Sequence, residues 1–268
     1  MKIAIVGCGN MGMAFANAFL KYDLVKASDF LLVEKSPERT AALQESFRPG
    51  VLTGLIDPRL GEYDLVIVSV KPQDFNSVGA LLRDVLTPEQ IVLSIMAGID
   101  IERIRATLSH QRIVRAMPNT PAMLGMGITA YTATNEVENH QLRKVENLIN
   151  ATGRSVYLEN EAMLDAVTAL SGSGPAYFFY LVKSMIEAGK KMGFDDSVST
   201  LLVKQTMLGS YHLINNADRS LDELIQAVTS KGGTTEAALK RFGEGEIDEN
   251  LQAGIFRARD RSQELAKG

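Results

Sequence analysis

Gly7, Gly9 and Gly12 stand directly after the apolar run Ile3-Ala4-Ile5-Val6 and open a helical stretch over 10–20. The G-x-G-x-x-G spacing suits the binding of a pyrophosphate. Gly7 permits a tight turn, Gly9 lets the backbone approach the ligand, and Gly12 lets helix and strand pack closely. The N–H groups that open the helix at Asn10 and Met11 attract the anion. An acidic residue, Glu34, ends the next apolar run, Phe30-Leu31-Leu32-Val33. A carboxylate at that place takes the adenosine ribose hydroxyls of a dinucleotide and repels a 2′-phosphate. Lys35, Ser36 and Arg39 follow at once and are suited to hold that phosphate, so these residues leave NADH and NADPH both open. The plainer alternative is a solvated Glu34–Arg39 pair at the strand edge. Cys8 lies inside the turn, where a small side chain packs rather than reacts.

Two further loops follow apolar runs: Val70-Lys71-Pro72 after Leu65–Val68, and Met117-Pro118-Asn119-Thr120-Pro121 after Ile113–Ala116. In doubly wound sheets, ligands lie outside the carboxyl ends of the strands, so both loops should flank the same ligand. Lys71 is either a partner for a phosphate or carboxylate or an ordinary surface lysine. Later come two glycine-rich, hydroxyl-rich turns, Ser171-Gly172-Ser173-Gly174-Pro175 and Thr229-Ser230-Lys231-Gly232-Gly233-Thr234-Thr235. Each is expected to open a helix, with Pro175 at a first helical position and Thr234 or Thr235 as N-cap. Such starts present N–H groups and hydroxyls at a positive dipole end and suit a small carboxylate. The alternative is two helix starts with glycine linkers.

These residues need elements to position them. Up to residue 158, apolar runs alternate with helical patterns, which predicts a parallel sheet covered on both faces. Gly127–Ala133 and Gly153–Leu158 read as its last strands, around a polar helix near Glu138–Asn150. From about Asn160 only helical patterns remain, so the division expected is 1–158 and 159–268. Two of the later helices, around Ala176–Ala188 and Leu201–Ile214, are apolar on more than one face. A partner subunit or the chain's own core must cover them.

Composition narrows the functions. With 268 residues and 46% hydrophobic content, the chain can bury a sizeable core. A net charge of −4 without a basic stripe argues against nucleic acid. No run is long enough to cross a bilayer, and none has the form of a signal peptide. The single Cys8 fits a reducing cytoplasm, and His110, His140 and His212 lack partners at metal-ligand spacing.

Taken together, Gly7-Cys8-Gly9-Asn10-Met11, Val70-Lys71-Pro72, Arg115 to Pro121, Ser171 to Tyr177 and Thr229 to Thr235 resemble the pyrroline-5-carboxylate reductases, in order and over nearly the whole chain. The resemblance implies an α/β fold, with an N-terminal Rossmann-type parallel-sheet domain followed by an all-α dimerisation domain. It implies reduction of 1-pyrroline-5-carboxylate to L-proline by NADPH or NADH. Gly7 to Gly12, Ser36, Val70, Lys71, Pro72 and Ala97 would line the cofactor site. Glu161, Thr168, Ser230, Thr234 and Thr235 would surround the substrate. In that setting Thr235 would bond the ring nitrogen, and the N–H groups of Gly233 to Thr235 would hold the carboxylate. A homodimer with sites shared between subunits, or a ring of such dimers, is implied as well. Lys231 stands where many members carry proline. A β-hydroxyacid dehydrogenase would need a lysine nearer Gly174 than Lys183, and a non-catalytic nucleotide sensor would not need Ser230 to Thr235.

Overall fold

The computed structural model of the chain describes residues 1–46, 51–53, 56–216 and 218–266. The first elements are β1 (Ile3–Val6), α1 (Asn10–Lys21), β2 (Phe30–Val33), α2 (Pro37–Ser46), β3 (Val51–Thr53), β4 (Leu65–Val68) and α3 (Phe75–Arg83). Next come β5 (Ile91–Ser94), α4 (Ile101–Leu108), β6 (Ile113–Met117), β7 (Gly127–Ala133), α5 (Asn139–Asn150) and β8 (Gly153–Tyr157). The helices that follow are α6 (Met163–Val167), a π-helical turn (Thr168–Gly172), α7 (Gly174–Lys191), α8 (Asp196–Asn216), α9 (Leu221–Ala227), α10 (Thr234–Glu244) and α11 (Ile247–Ala266).

The strands form one sheet in the order β3-β2-β1-β4-β5-β6-β7-β8. From β3 to β6 every pair is parallel, with Ile3 beside Phe30 on one side and Leu65 on the other. Strand order reverses between β1 and β4, which opens a crevice at their carboxyl ends. The parallel sheet expected is present from β3 to β6, and the β6–β7 pair departs from it, with β7 running antiparallel to β6 and Val114 beside Ala133. Residues 118–126 are too few for a parallel crossover, which needs a dozen or more.

Side chains alternate between the two faces. Ile3, Ile5, Leu32 and Ile67 pack with Phe15 and Phe19 of α1 and Val145 and Ile149 of α5. Ala4, Val6, Val33 and Val68 pack with Phe75 and Leu82 of α3 and Ile104 of α4. Strands buried on both faces read as unbroken apolar runs, which is how β1, β2 and β4 look in the sequence.

The chain parts into two compact units: Met1–Pro175 together with the chain from Ala258 on, and Ala176–Arg257. The strands end at Tyr157, beside the change of pattern at 158, but α6 and the π turn remain with the sheet unit. In the helical unit, Phe178, Phe179 and Tyr180 of α7 and Leu201, Leu208 and Ile214 of α8 are exposed in the single chain. Among the described residues of α8 only Ser199 is buried, so its own chain does not enclose it. No described helix is long and apolar enough to cross a membrane.

Both glycine-rich turns differ from expectation in detail. Ser171 to Pro175 does not break the chain to start a helix, because the π turn joins α6 to α7 and Ser173 N–H donates to Thr168 O at 2.8 Å. Gly172 lies close to Met117; a Cβ there would meet the Met117 Cε at 2.5 Å. Asn119 Nδ2 also donates to Ser171 Oγ at 3.3 Å, which fixes the π turn to the loop after β6. At the second turn the N-cap is Gly233, with φ −85° and ψ 175°, and Thr234 is already helical. A Cβ on Gly233 would lie 2.5 Å from Ser230 Oγ, and neither threonine caps the helix.

Candidate active site

The glycine crossing is built from β1, the start of α1 and the loop after β4. Gly7 has φ +95°, and a Cβ on it would lie 2.6 Å from Ser69 O. Only glycine lets these two backbones come so close. A Cβ on Gly12 would lie 2.3 Å from Gly7 O, so this glycine seats α1 on its own turn. Gly9 differs, because a Cβ there would meet nothing within 4 Å. The space over Gly9 is open, and Gly9 is also the N-cap of α1 without a side-chain acceptor. Open room in front of the first helical N–H groups, at Asn10 and Met11, fits a pyrophosphate.

Beside the crossing, the loop after β2 is tightly bonded. Glu34 is 8% exposed and accepts the Cys8 N–H at 3.1 Å and the Ser36 N–H at 2.9 Å. The solvated Glu34–Arg39 pair is therefore corrected: the carboxylate is turned inward, onto backbone donors. Lys35 pairs with Asp74 at 2.8 Å, and Ser36 Oγ donates to Glu38 at 2.8 Å. Arg39 is exposed in the first turn of α2. Cys8 is buried, and its thiol is pushed up from the usual 9.0 to about 12. Burial is the main cause; the Glu34 charge adds to it, and Arg39 and a bond to the Val33 carbonyl oppose it. Packing is thus the role of this side chain.

Val70, Lys71 and Pro72 follow β4, and Ala97 follows β5, so all four lie at the carboxyl ends of parallel strands with the glycine crossing. Lys71 is exposed, while Val70, Pro72 and Ala97 are half-buried. A cavity of about 400 Å³ among Met1, Glu62, Gln90, His140 and Lys144 opens at the opposite, amino-terminal edge and holds none of these residues.

Glu161 is anchored within the fold through one of its carboxylate oxygens. Its Oε1 accepts Arg115 Nη1 at 2.7 Å and the Ile101 N–H at the start of α4, also at 2.7 Å. Arg115 is almost fully buried and lies 3.6 Å from Asp165, which in turn accepts Ser262 Oγ from α11 at 2.8 Å. One guanidinium on β6 thereby ties α4, α6 and α11 to the sheet. Sequence reasoning gave Arg115 no role of its own; a lone charge within the apolar strand Ile113-Val114-Arg115-Ala116 was the signal. Thr168 donates its hydroxyl to Leu164 O at 2.8 Å, inside the helix.

Ser230, Gly233, Thr234 and Thr235 lie in the helical unit. Gly232 has φ +71°, its N–H donates to Glu236 Oε2 at 2.6 Å, and Gly233 N–H donates to Ser230 O at 2.9 Å. The turn thus delivers the first N–H groups of α10 beside the hydroxyls of Thr234 and Thr235.

A sheet that reverses order at a glycine crossing, with helix N–H groups facing open space, is the Rossmann-type arrangement that takes a dinucleotide, and similarity to known proteins places it among the oxidoreductases. Residues 2–98 match a family described as NADP oxidoreductase, coenzyme F420-dependent, and residues 161–265 match pyrroline-5-carboxylate reductase dimerisation. The pyrroline-5-carboxylate reductase of Pseudomonas aeruginosa is 36% identical, with 99% of this chain and 97% of that protein covered. That of Haemophilus influenzae is 34% identical, with 98% and 97% covered. Among solved structures, Plasmodium falciparum pyrroline carboxylate reductase with NADP bound has a TM-score of 0.89 at 26% identity, covering 99% of this chain and 98% of that one. This chain belongs to the pyrroline-5-carboxylate reductase family. An Aspergillus terreus reductive aminase in complex with NADPH, at TM-score 0.58 and 18% identity, shares the fold alone.

Proposed function

We propose that the protein reduces 1-pyrroline-5-carboxylate to L-proline with NADPH or NADH, the last step of proline biosynthesis. The observation that carries this reading is the 36% identity to the Pseudomonas aeruginosa reductase over 99% of the chain, a span that includes both glycine motifs. A reduced nicotinamide dinucleotide, when bound, supplies hydride to the C=N carbon of the cyclic imine. With one proton on nitrogen, C=N becomes CH–NH, and no side-chain nucleophile is consumed.

The residues then divide the labour. Gly7, Gly9 and Gly12, with the N–H groups of Asn10 and Met11, hold the pyrophosphate; Cys8 packs beneath. Ser36, Val70, Lys71, Pro72 and Ala97 line the same cofactor site, with Lys35 and Arg39 beside the ribose. The N–H groups of Thr234 and Thr235 hold the substrate carboxylate, whereas the Gly233 N–H, expected to join them, is taken by Ser230 O within the turn; Ser230 and Thr234 flank the carboxylate, and Thr235 bonds the ring nitrogen. The open space at Gly9 and the helix start at Thr234 support this division. Glu161 and Thr168 act at the substrate side through the elements they brace, since their side chains already bond within the fold.

Residues 1–158 form the dinucleotide domain in this reading, and 159–268 serve substrate binding and dimerisation. The dimerisation-family match over 161–265 and the exposed apolar residues of α7 and α8 support a homodimer whose active sites combine two subunits, with rings of dimers as a further assembly. The lone buried Cys8 suits a reducing compartment, so a cytoplasmic location belongs to the same proposal.

The test is to follow oxidation of NADH and of NADPH in parallel with 1-pyrroline-5-carboxylate. Proline should form in step with oxidation. Absence of oxidation with both nucleotides overturns the reading.

A further inference from the structure

Glu34 ends β2, where a carboxylate is expected to meet the ribose, yet both of its oxygens are engaged elsewhere. Oε2 accepts the Cys8 N–H at 3.1 Å and Oε1 accepts the Ser36 N–H at 2.9 Å. Cys8 belongs to the turn after β1, whose path is fixed by Gly7 at φ +95°. Ser36 belongs to the loop that leads into α2. One side chain therefore joins the two loops that flank the adenosine end of a dinucleotide in sheets of this order. Cys8 is buried, so its N–H would lose its acceptor in a place where water cannot readily replace it. A carboxylate turned away from this position would leave both donors unpaired.

We propose that Glu34 is a positioning residue, a latch between the β1 and β2 loops, and that it does not select between NADH and NADPH. The proposal takes the identity of the ligand from the reductase reading above. Selection at the ribose 2′ position falls instead to the groups that remain outward. Arg39 is exposed in the first turn of α2, and Ser36 carries a hydroxyl that now donates only to the exposed Glu38. Lys35 is held by Asp74 and is the less available cation.

The test compares the full-length wild type with Glu34→Gln and Glu34→Ala. Hydrogen exchange across residues 7–9 and 35–37 is measured without nucleotide, Kd for NADH and NADPH by direct titration, and kcat and KM with each nucleotide. For the latch, exchange should quicken at both segments in Glu34→Ala and less in Glu34→Gln, which keeps one carbonyl acceptor. Kd and KM should rise for both nucleotides by the same factor, about tenfold, while kcat at saturation stays within about twofold. If Glu34→Ala does not fold, Glu34→Gln carries the same comparison with a smaller rise. A Kd that rises for NADH alone, while that for NADPH holds or falls, overturns the latch in favour of ribose chelation. Unchanged exchange at both segments overturns it as well, whether or not the wild type binds a dinucleotide. A wild type that binds neither nucleotide counts against the reductase reading, and the exchange result still decides the latch.

Discussion

A methyl group added at Gly12 would lie 2.3 Å from the Gly7 carbonyl oxygen, whereas one added at Gly232 would meet no atom within 4 Å. The first glycine is required by the packing of its own chain. The second is required only by its φ of +71°, in an exposed turn. The same contrast separates the two units. In the sheet unit Phe15, Phe19 and Phe30 are wholly buried, while in the helical unit Phe179 and Leu201 are 68% and 66% exposed. One chain completes the dinucleotide crossing. The helical unit instead leaves apolar faces and a donor-rich turn for other molecules, which are a second subunit and the substrate in the function proposed above.

The contrast breaks most sharply if the exposed helices are ordinary solvated surface. If α8 lies in the subunit interface proposed above, Leu201→Glu should place an unpaired charge there, at a cost of about 3 kcal/mol or roughly a hundredfold in association. Sedimentation should then show monomer, and activity at dilute enzyme should collapse. A variant that remains dimeric and active would show that α8 stays in water.

Next in size is the glycine comparison itself. Gly12→Ala forces backbone against backbone and should lower stability by about 3 kcal/mol, read from denaturant unfolding. Gly232→Ala meets only the left-handed backbone penalty, about 1–2 kcal/mol. Equal losses at the two sites would erase the distinction drawn here.

Thr235→Val tests the helical turn for chemistry rather than for folding. Because Gly233 caps α10, removal of the Thr235 hydroxyl should leave the melting temperature nearly unchanged. Loss of its bond to the substrate nitrogen should lower kcat/KM by about 1–3 kcal/mol, or ten- to a hundredfold, with dinucleotide affinity unmoved. Normal kinetics would remove Thr235 from the substrate site.

The effect that is smallest near neutral pH concerns Cys8. With its thiol pushed up to about 12, native protein at about pH 8 should resist iodoacetamide while unfolded protein reacts. The unfolded thiol loses its proton from the usual 9.0 upward, and the native one does not until about 12. Deprotonation therefore favours the unfolded chain across that interval, and stability should fall from pH 9 to pH 12. Rapid labelling of the native protein would mean that the crossing opens more than its packing implies.

Particular residues show what the sequence could and could not convey. Strands β1, β2, β4 and β5 were legible because burial on both faces leaves an uninterrupted apolar run. β3 was missed, since Val51–Thr53 is too short to show a period. The reversal at β7 was available in the brevity of 118–126, but hydrophobic pattern carries no strand direction. Ser171 to Pro175 reads as a break because glycine, serine and proline are breakers; the bond from Asn119, distant in sequence, and the Ser173 N–H to Thr168 O bond keep it helical. At the candidate site, the glycine crossing was legible because its demand is local. The inward turn of Glu34 and the tie of Glu161 to Arg115 depend on partners 26 and 46 residues away.

The bond from Ser262 to Asp165, and the seat of Leu265 against Gly98, bear on how the protein is made. The sheet unit takes its last pieces from α11, after the whole helical unit has been threaded through the ribosome. At about 5–20 residues per second, translation of 268 residues takes roughly 13–54 s. For roughly a third of that time, while the chain from residue 166 to 257 is made, the strands exist but the contact surface around Asp165 and Gly98 has no occupant. Nascent chains stalled before residue 258 should therefore be cut by protease near residues 98–101 and 161–165, and chains released after residue 266 should not.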